Sequence, residues 1–488
     1  MMRTALLVLA ALLGASPGDL AADTYDLVLE GGRVIDPETG LDGVRNVGIR
    51  GGTIAAVSTA PLAGKRSIDA NGLVVAPGFI DLHQHAQSAE GYRLMALDGV
   101  TTGLELEIGV PDLAKFVETR RGRTPVHYGA SSSYLAARVR AWDAELQQPS
   151  HLGPDAGILP QSGPATNEAS GPERLARVLA RLKGELEAGS LGIGVGLEYA
   201  PGTTRHELIE VFRVAAASGS PVFVHARSSG LLEPGSGIES VTELAGVAAI
   251  TGAPLHIVHI NSTCMRDAPE CIAMIAGARE RGLDITTEAY PYTVAMTAIN
   301  SALFNPGWRE KRGLDYDDLE IPATGERLTR ERFEELHVSP DWHPILIHTN
   351  PDEVVDAIMA APLAMIASDG SLMHPRGAGS YSRVLSRYVR DRQSLTLPEA
   401  IRKMSLMPAQ RLEALTPEAK RLGRLQVGAR ADLVVFDAGS VTDRATFRAP
   451  TEPSEGVRYL VVDGTVVVDE GRFIDSVFPG QPLLRSKP

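Results

Sequence analysis

Leu73-Val74-Val75-Ala76-Pro77-Gly78-Phe79-Ile80-Asp81-Leu82-His83-Gln84-His85 is the stretch that decides how the rest of the chain is read. Its apolar run predicts a buried strand, with Pro77-Gly78 kinking the chain into it. Successive strand residues alternate faces, so His83 and His85 project together from the strand end. Two convergent imidazoles are half a site for a borderline-soft divalent metal. A His-x-His pair alone is a weak signal. It gains force from the polar residues at the ends of later strands.

Downstream, strand and helix patterns alternate. Strands are predicted at 102–108, 126–129, 192–196, 222–225, 255–259, 284–287 and 364–367, with helices at 172–188, 205–218 and 269–281. Strands alternating with helices of this length make parallel βαβ units. About eight such units predict an α/β fold, a (β/α)8 TIM-like barrel over 76–424. Both flanks read differently, as short β segments with hairpin turns at Gly51-Gly52 and Asp463-Gly464. They predict one small β-sandwich domain built from 23–75 and 425–478. Residues 142–171, rich in Pro, Gly and Ser, read as a long loop. Residues 296–344, with Trp308 and Trp342, read as an insertion that serves as a lid, or else as a surface excursion with its own small fold.

The chain has 488 residues, 44% hydrophobic and 22% charged, ordinary values for a globular protein. A net charge of −13 argues against nucleic acid or an anionic membrane surface as the main partner. Residues 1–22 read as a signal peptide: Arg3, an apolar run from Ala5 to Leu13, then small residues ending at Ala21-Ala22. The run is too short to span a bilayer, and no cysteine follows it to carry a lipid, so no membrane anchor is expected. Export to a periplasm or beyond is the expectation. In an oxidising compartment Cys264 and Cys271 either close a short disulfide loop or stay as thiols.

Barrel chemistry gathers at the C-terminal ends of the strands. The polar residues there are His83 and His85, Glu105 and Glu107, Glu198, His225, His256 and His259, and Asp369. Burying that many ionisable groups unpaired would be costly, so a metal centre explains them better than core packing does. His259 lies nearer its strand end than His256, which reads as structural. Two adjacent metals need a bridging anion. None of the lysines (Lys65, Lys115, Lys183, Lys311, Lys403, Lys420, Lys487) falls on a predicted barrel strand, so a carboxylate takes that place. Glu107 is the choice, with Glu198 and Glu105 as rivals. The expected ligands are His83 and His85 on one metal, His225 and His259 on the other, Glu107 between them, and Asp369 on the first. Zinc suits this donor set, as two ions, and other divalent metals fit it too.

These residues resemble the signature of the amidohydrolase superfamily: 77–85, His225, His259 and Asp369, in that order. Within it the chain is similar to the N-acyl-D-amino-acid deacylase (D-aminoacylase) group. The matching segments are Gly196-Leu197-Glu198-Tyr199-Ala200-Pro201-Gly202, Tyr290-Pro291-Tyr292, Ser368-Asp369-Gly370, His374-Pro375-Arg376, Arg383-Val384-Leu385, Ala400-Ile401-Arg402-Lys403-Met404 and Ala431 to Asp437. The resemblance implies hydrolysis of a C–N amide bond of a small N-acyl amino acid by a metal-activated hydroxide. Asp369 is then the general acid and base, and Arg227, Tyr290 and Arg376 lie near the substrate carboxylate. Two positions depart from that group. Ile108 stands near the place of its bridging cysteine, and Asn261 stands where it tends to carry a lysine. A dipeptidase, or a cyclic-amide or ester hydrolase, is the alternative on the same site. Assembly into a homo-oligomer stays open.

Overall fold

The computed structural model describes residues 24–144, 163–339 and 341–486. The leader read at 1–22 and residues 145–162 of the predicted loop lie outside them. Among the described residues no helix is long and apolar enough to cross a membrane.

Strands β1 (Tyr25–Asp36), β2 (Leu41–Arg50), β3 (Thr53–Ser58), β4 (Gly64–Asp69) and β5 (Val74–Pro77) come first. The barrel follows with β6 (Phe79–Asp81), β7 (Val100–Val110), β8 (His127–Ser133), β9 (Ile193–Gly196), β10 (Val222–His225), β11 (Leu255–Ile257) and β12 (Ile285–Ala289). An insertion supplies β13 (Val294–Ala298), β14 (Leu319–Glu320) and β15 (Pro344–His348). The barrel ends with β16 (Ala364–Ile366), and β17 (Leu433–Phe436), β18 (Val457–Val462), β19 (Thr465–Asp469) and β20 (Arg472–Phe473) close the chain.

The apolar run 73–82 is thus two strands, not one. β5 belongs to the small terminal sheet and β6 opens the barrel. The break falls at Gly78, where an added Cβ would lie 2.2 Å from the Thr101 side chain, so only glycine fits the crossing. The small domain is a nine-stranded sheet in which β5 pairs in parallel with β1 and antiparallel with β17, joining both ends of the chain. β1 pairs with β4 through its first half and with β5 through its second, bending at a register shift between Leu29 and Gly32. The bend encloses a separate apolar cluster that includes Leu27, Ile49, Val75, Leu433 and Val461.

Eight strands run in the order β6-β7-β8-β9-β10-β11-β12-β16, all neighbours parallel. The seam between β16 and β6 is closed by Asp81, whose carboxylate accepts the Ser368 N–H at 3.1 Å, and by the His85 N–H donating to the Gly370 carbonyl at 2.9 Å. Helices lie between strands as their apolar spacing requires. In Pro172–Ala188, Leu175, Val178, Leu182 and Leu186 share one buried face, with proline at the start and Gly189 in the left-handed region at the end. Those four side chains contribute on the order of 6–12 kcal/mol of apolar burial before the cost of ordering the helix.

The insertion between β12 and β16 carries a three-stranded sheet, β13-β15-β14. It has its own aromatic cluster, in which Trp308 stacks on Phe333 and Phe304 meets both edge to face. Its apolar residues join the barrel's core cluster, and Ala295, Met296, Leu303 and Ile347 line the cavity at the barrel mouth. Cys264 and Cys271 are joined in a disulfide.

Candidate metal centre

Against β8, β7 breaks register between Glu105 and Val110, and Gly109 takes a left-handed φ of 70°. Glu105 braces that irregularity, its Oε1 accepting the N–H groups of Ile108 at 3.3 Å and Gly109 at 3.4 Å. Gly194 on β9 leaves room beside it, since a Cβ there would stand 2.4 Å from the Glu107 carbonyl oxygen. The outcome is a Glu107 carboxylate set in the middle of the barrel mouth.

Two groups of ligand atoms share it. On one side Glu107 Oε2 lies 3.0 Å from His83 Nε2 and 3.1 Å from His85 Nε2. Asp369 Oδ1 stands 3.4 and 3.3 Å from the same two nitrogens. On the other side Glu107 Oε1 lies 2.7 Å from His225 Nδ1 and 3.1 Å from His259 Nε2. These separations approach the edge of a tetrahedron with bonds of about 2.0 Å, about 3.3 Å. His259 and Asp369 occupy positive φ, 28° and 49°, values that non-glycine residues adopt where the surroundings force them.

The histidine tautomers fit a cation. His83 Nδ1 is 2.6 Å from Glu288 Oε1 and His85 Nδ1 is 2.7 Å from Glu105 Oε2, so each Nδ1 carries the donated hydrogen. The two Nε2 atoms then face each other only 3.1 Å apart, a spacing that two ligand atoms of one cation would take. His225 is turned the other way. Its Nε2 faces Glu198 Oε2 at 3.2 Å and its Nδ1 faces the centre. Burial opposes the charge on Glu107, but His83, His225 and His259 outweigh it and hold the carboxyl well below its ordinary range. Burial likewise opposes the charge on Asp369, whose carboxyl is nonetheless held low by Arg376 and His83.

Of the expected residues, His83, His85, Glu107, His225, His259 and Asp369 converge. Glu105 and Glu198, the rivals to Glu107, stand behind histidines instead. His256 lies outside both groups, bonded to Thr286 at 2.8 Å and Glu288 at 3.1 Å. Arg376 reaches the centre: Nη2 is 2.9 Å from Asp369 Oδ2, and its buried Nε and Nη1 have no partner among the described residues. Tyr290 lies against that guanidinium, 4.7 Å from ring centre to Cζ, with its hydroxyl bonded to Ser262. Arg227 departs from expectation. Its guanidinium is taken by Glu243 at 2.9 Å and the Thr203 carbonyl at 2.7 Å, and it does not line the metal cavity. Asn261 is also turned away, donating to the Tyr290 carbonyl at 3.2 Å.

Two participants escaped the sequence reading. Glu288 was missed because the strand predicted at 284–287 stops one residue short of it; in the structure it is the one charged residue of β12, Ile285–Ala289. Arg312 gave no local signal; it comes from the insertion and pairs with Glu198 at 2.6 Å. Ala295, Met296, Leu303, Trp342 and Ile347 of the insertion region wall the cavity with mainly apolar surface.

A parallel eight-stranded barrel bearing a two-position ligand cluster at its mouth is the class that fold and site define. Residues 66–468 match the model of the Amidohydrolase family, and the chain belongs to that family. It is 33% identical to an N-acyl-D-glutamate deacylase of Alcaligenes xylosoxydans xylosoxydans, over 95% of this chain and 97% of the relative. It is 29% identical to a D-aminoacylase of the same organism, over 92% and 96%. A crystal structure of N-acyl-D-glutamate deacylase from Bordetella bronchiseptica, with zinc and a phosphonate mimic of the tetrahedral intermediate, superposes with a TM-score of 0.77 at 26% identity. That likeness covers 95% of this chain and all of the other.

Proposed function

We propose that this chain is a zinc-dependent amidohydrolase that removes the acyl group from N-acyl-D-amino acids. The observation that carries the reading is Glu107, set between the His83–His85 and His225–His259 pairs. The similarity to two deacylases supports the substrate class, and the zinc in the Bordetella enzyme supports the metal.

The first group offers His83, His85, Asp369 and one Glu107 oxygen. The second offers His225, His259 and the other Glu107 oxygen, three ligands with a fourth position free, as catalytic sites keep. Zinc held there would supply Lewis acidity toward the amide carbonyl and lower the pKa of water to about 7. The chain does the rest. Arg376 fixes Asp369 through Oδ2, which leaves Oδ1 aimed at the centre. From there Asp369 takes a proton from the attacking water and passes it to the amide nitrogen as the C–N bond breaks, giving a carboxylic acid and a free amine. The unpartnered Nε and Nη1 of Arg376 leave two buried donors beside Asp369 for the substrate carboxylate. Tyr290 lies against that guanidinium.

Export belongs to the same proposal. It rests on the Arg3 and Ala5–Leu13 pattern and on the Cys264–Cys271 disulfide, a bond that oxidising compartments keep. Fractionation of the native host would test it, and a protein confined to cytosol would end it.

The activity test is a panel of N-acetyl-D- and N-acetyl-L-amino acids, dipeptides and cyclic amides, assayed with zinc and after chelation. Turnover of D-configured substrates that chelation abolishes is expected. Turnover confined to dipeptides or cyclic amides would replace the substrate assignment, and turnover indifferent to chelation would remove the metal.

A further inference from the structure

Arg312 is the only cation that the insertion sends into the metal cavity among the described residues. Its side chain is 8% exposed, at the end of the short helix Trp308–Arg312. Backbone contact keeps that end in place, the Leu231 N–H donating to the Lys311 carbonyl at 2.7 Å. Arg312 Nη2 holds Glu198 Oε1 at 2.6 Å. The other oxygen, Oε2, accepts from Ser229 Oγ at 2.7 Å and faces His225 Nε2 at 3.2 Å.

His225 has two ways to place its hydrogen. With the hydrogen on Nε2, it donates to Glu198 and presents an Nδ1 lone pair to the second group. With the hydrogen on Nδ1, it donates to Glu107 Oε1, only 2.7 Å away, and that nitrogen is closed to a metal. The carboxylate on the far side decides between them. Glu198 can do so only while it is held facing the ring.

We propose that Arg312 is a positioning residue for the metal position formed by His225, His259 and Glu107. It anchors Glu198, which fixes the His225 tautomer that leaves Nδ1 free. Docking of the insertion over the barrel and metal affinity at this position are thereby one linked event. The inference rests on the two-position zinc reading.

The test measures zinc affinity by competition with a chelator in two backgrounds. In His85→Asn, which spoils the first group, Arg312→Met is expected to weaken the remaining zinc roughly 10–100-fold, and Arg312→Lys to recover part of the loss. In His259→Asn, which spoils the second group, Arg312→Met is expected to change nothing. Glu198→Ala should match Arg312→Met, and the double variant should be no worse than either alone, because both act through one ring. Equal losses in both backgrounds, or none in either, would overturn the proposal. If Arg312→Met does not fold, Glu198→Ala carries the same comparison with the same overturning outcomes. A wild-type protein that binds no zinc would instead refute the metal reading itself.

Discussion

Glu107 gives one oxygen to each pair of imidazoles, so a change there strikes both metal positions together. Glu107→Gln keeps the shape but replaces one oxygen by an amide nitrogen that cannot ligate. Zinc per chain, measured by mass spectrometry after dialysis, should fall by at least one equivalent; an unchanged ratio would move the bridge elsewhere. Asp369→Asn should lower kcat by about 10²- to 10⁴-fold on the best D-configured substrate, with zinc content recorded alongside. Asp98 offers a test apart from the centre. It is buried beneath the N–H groups of Tyr381 and Ser382 and the Ser454 hydroxyl, at 2.8 to 2.9 Å. Burial raises its carboxyl from 3.8 to about 7 despite those bonds. Between these values the folded protein holds a proton that the unfolded chain has lost. Stability from this group is therefore full at low pH and declines as pH rises to 7. Relative to Asp98→Asn, wild-type unfolding free energy should fall by up to about 1.4 kcal/mol per pH unit across that window, as read by urea denaturation at pH 5, 6 and 7.

At the scale of elements, the barrel was legible because strand ends advertise themselves: a polar residue closing a short apolar run is costly unless used. The same rule placed His225, His259 and Asp369; it passes over Glu288, which follows two threonines rather than an apolar run. It could not reveal Arg312, whose partner lies 114 residues away, nor could it foresee that Glu243 claims Arg227. The run 73–82 misled because its hydrophobicity is continuous while its hydrogen bonding is not; a glycine forced by Thr101 separates β5 from β6. Among the close approaches, that of β9 to β7 is the most telling for the site. Gly194→Ala should push β7 outward, lowering stability by about 1–3 kcal/mol and reducing zinc content with it. Normal zinc content in a destabilised Gly194→Ala protein would separate the strand packing from the position of Glu107.

For the whole molecule, a ligand that binds only the folded state stabilises it by mass action. Zinc removal should lower the melting temperature, and added zinc should restore it in a concentration-dependent way; calorimetry with and without chelator reads both. The nine-stranded sheet has a consequence for how the chain is made. β5 leaves the ribosome early, but its partner β17 lies more than 350 residues later. During synthesis one edge of β5 waits while the entire barrel is translated, an edge open to wrong partners. A chain stopped after residue 424 would keep every ligand of the metal centre and still leave that edge bare. Its fate should be aggregation, so the last few dozen residues act as the closing stitch of the first few dozen.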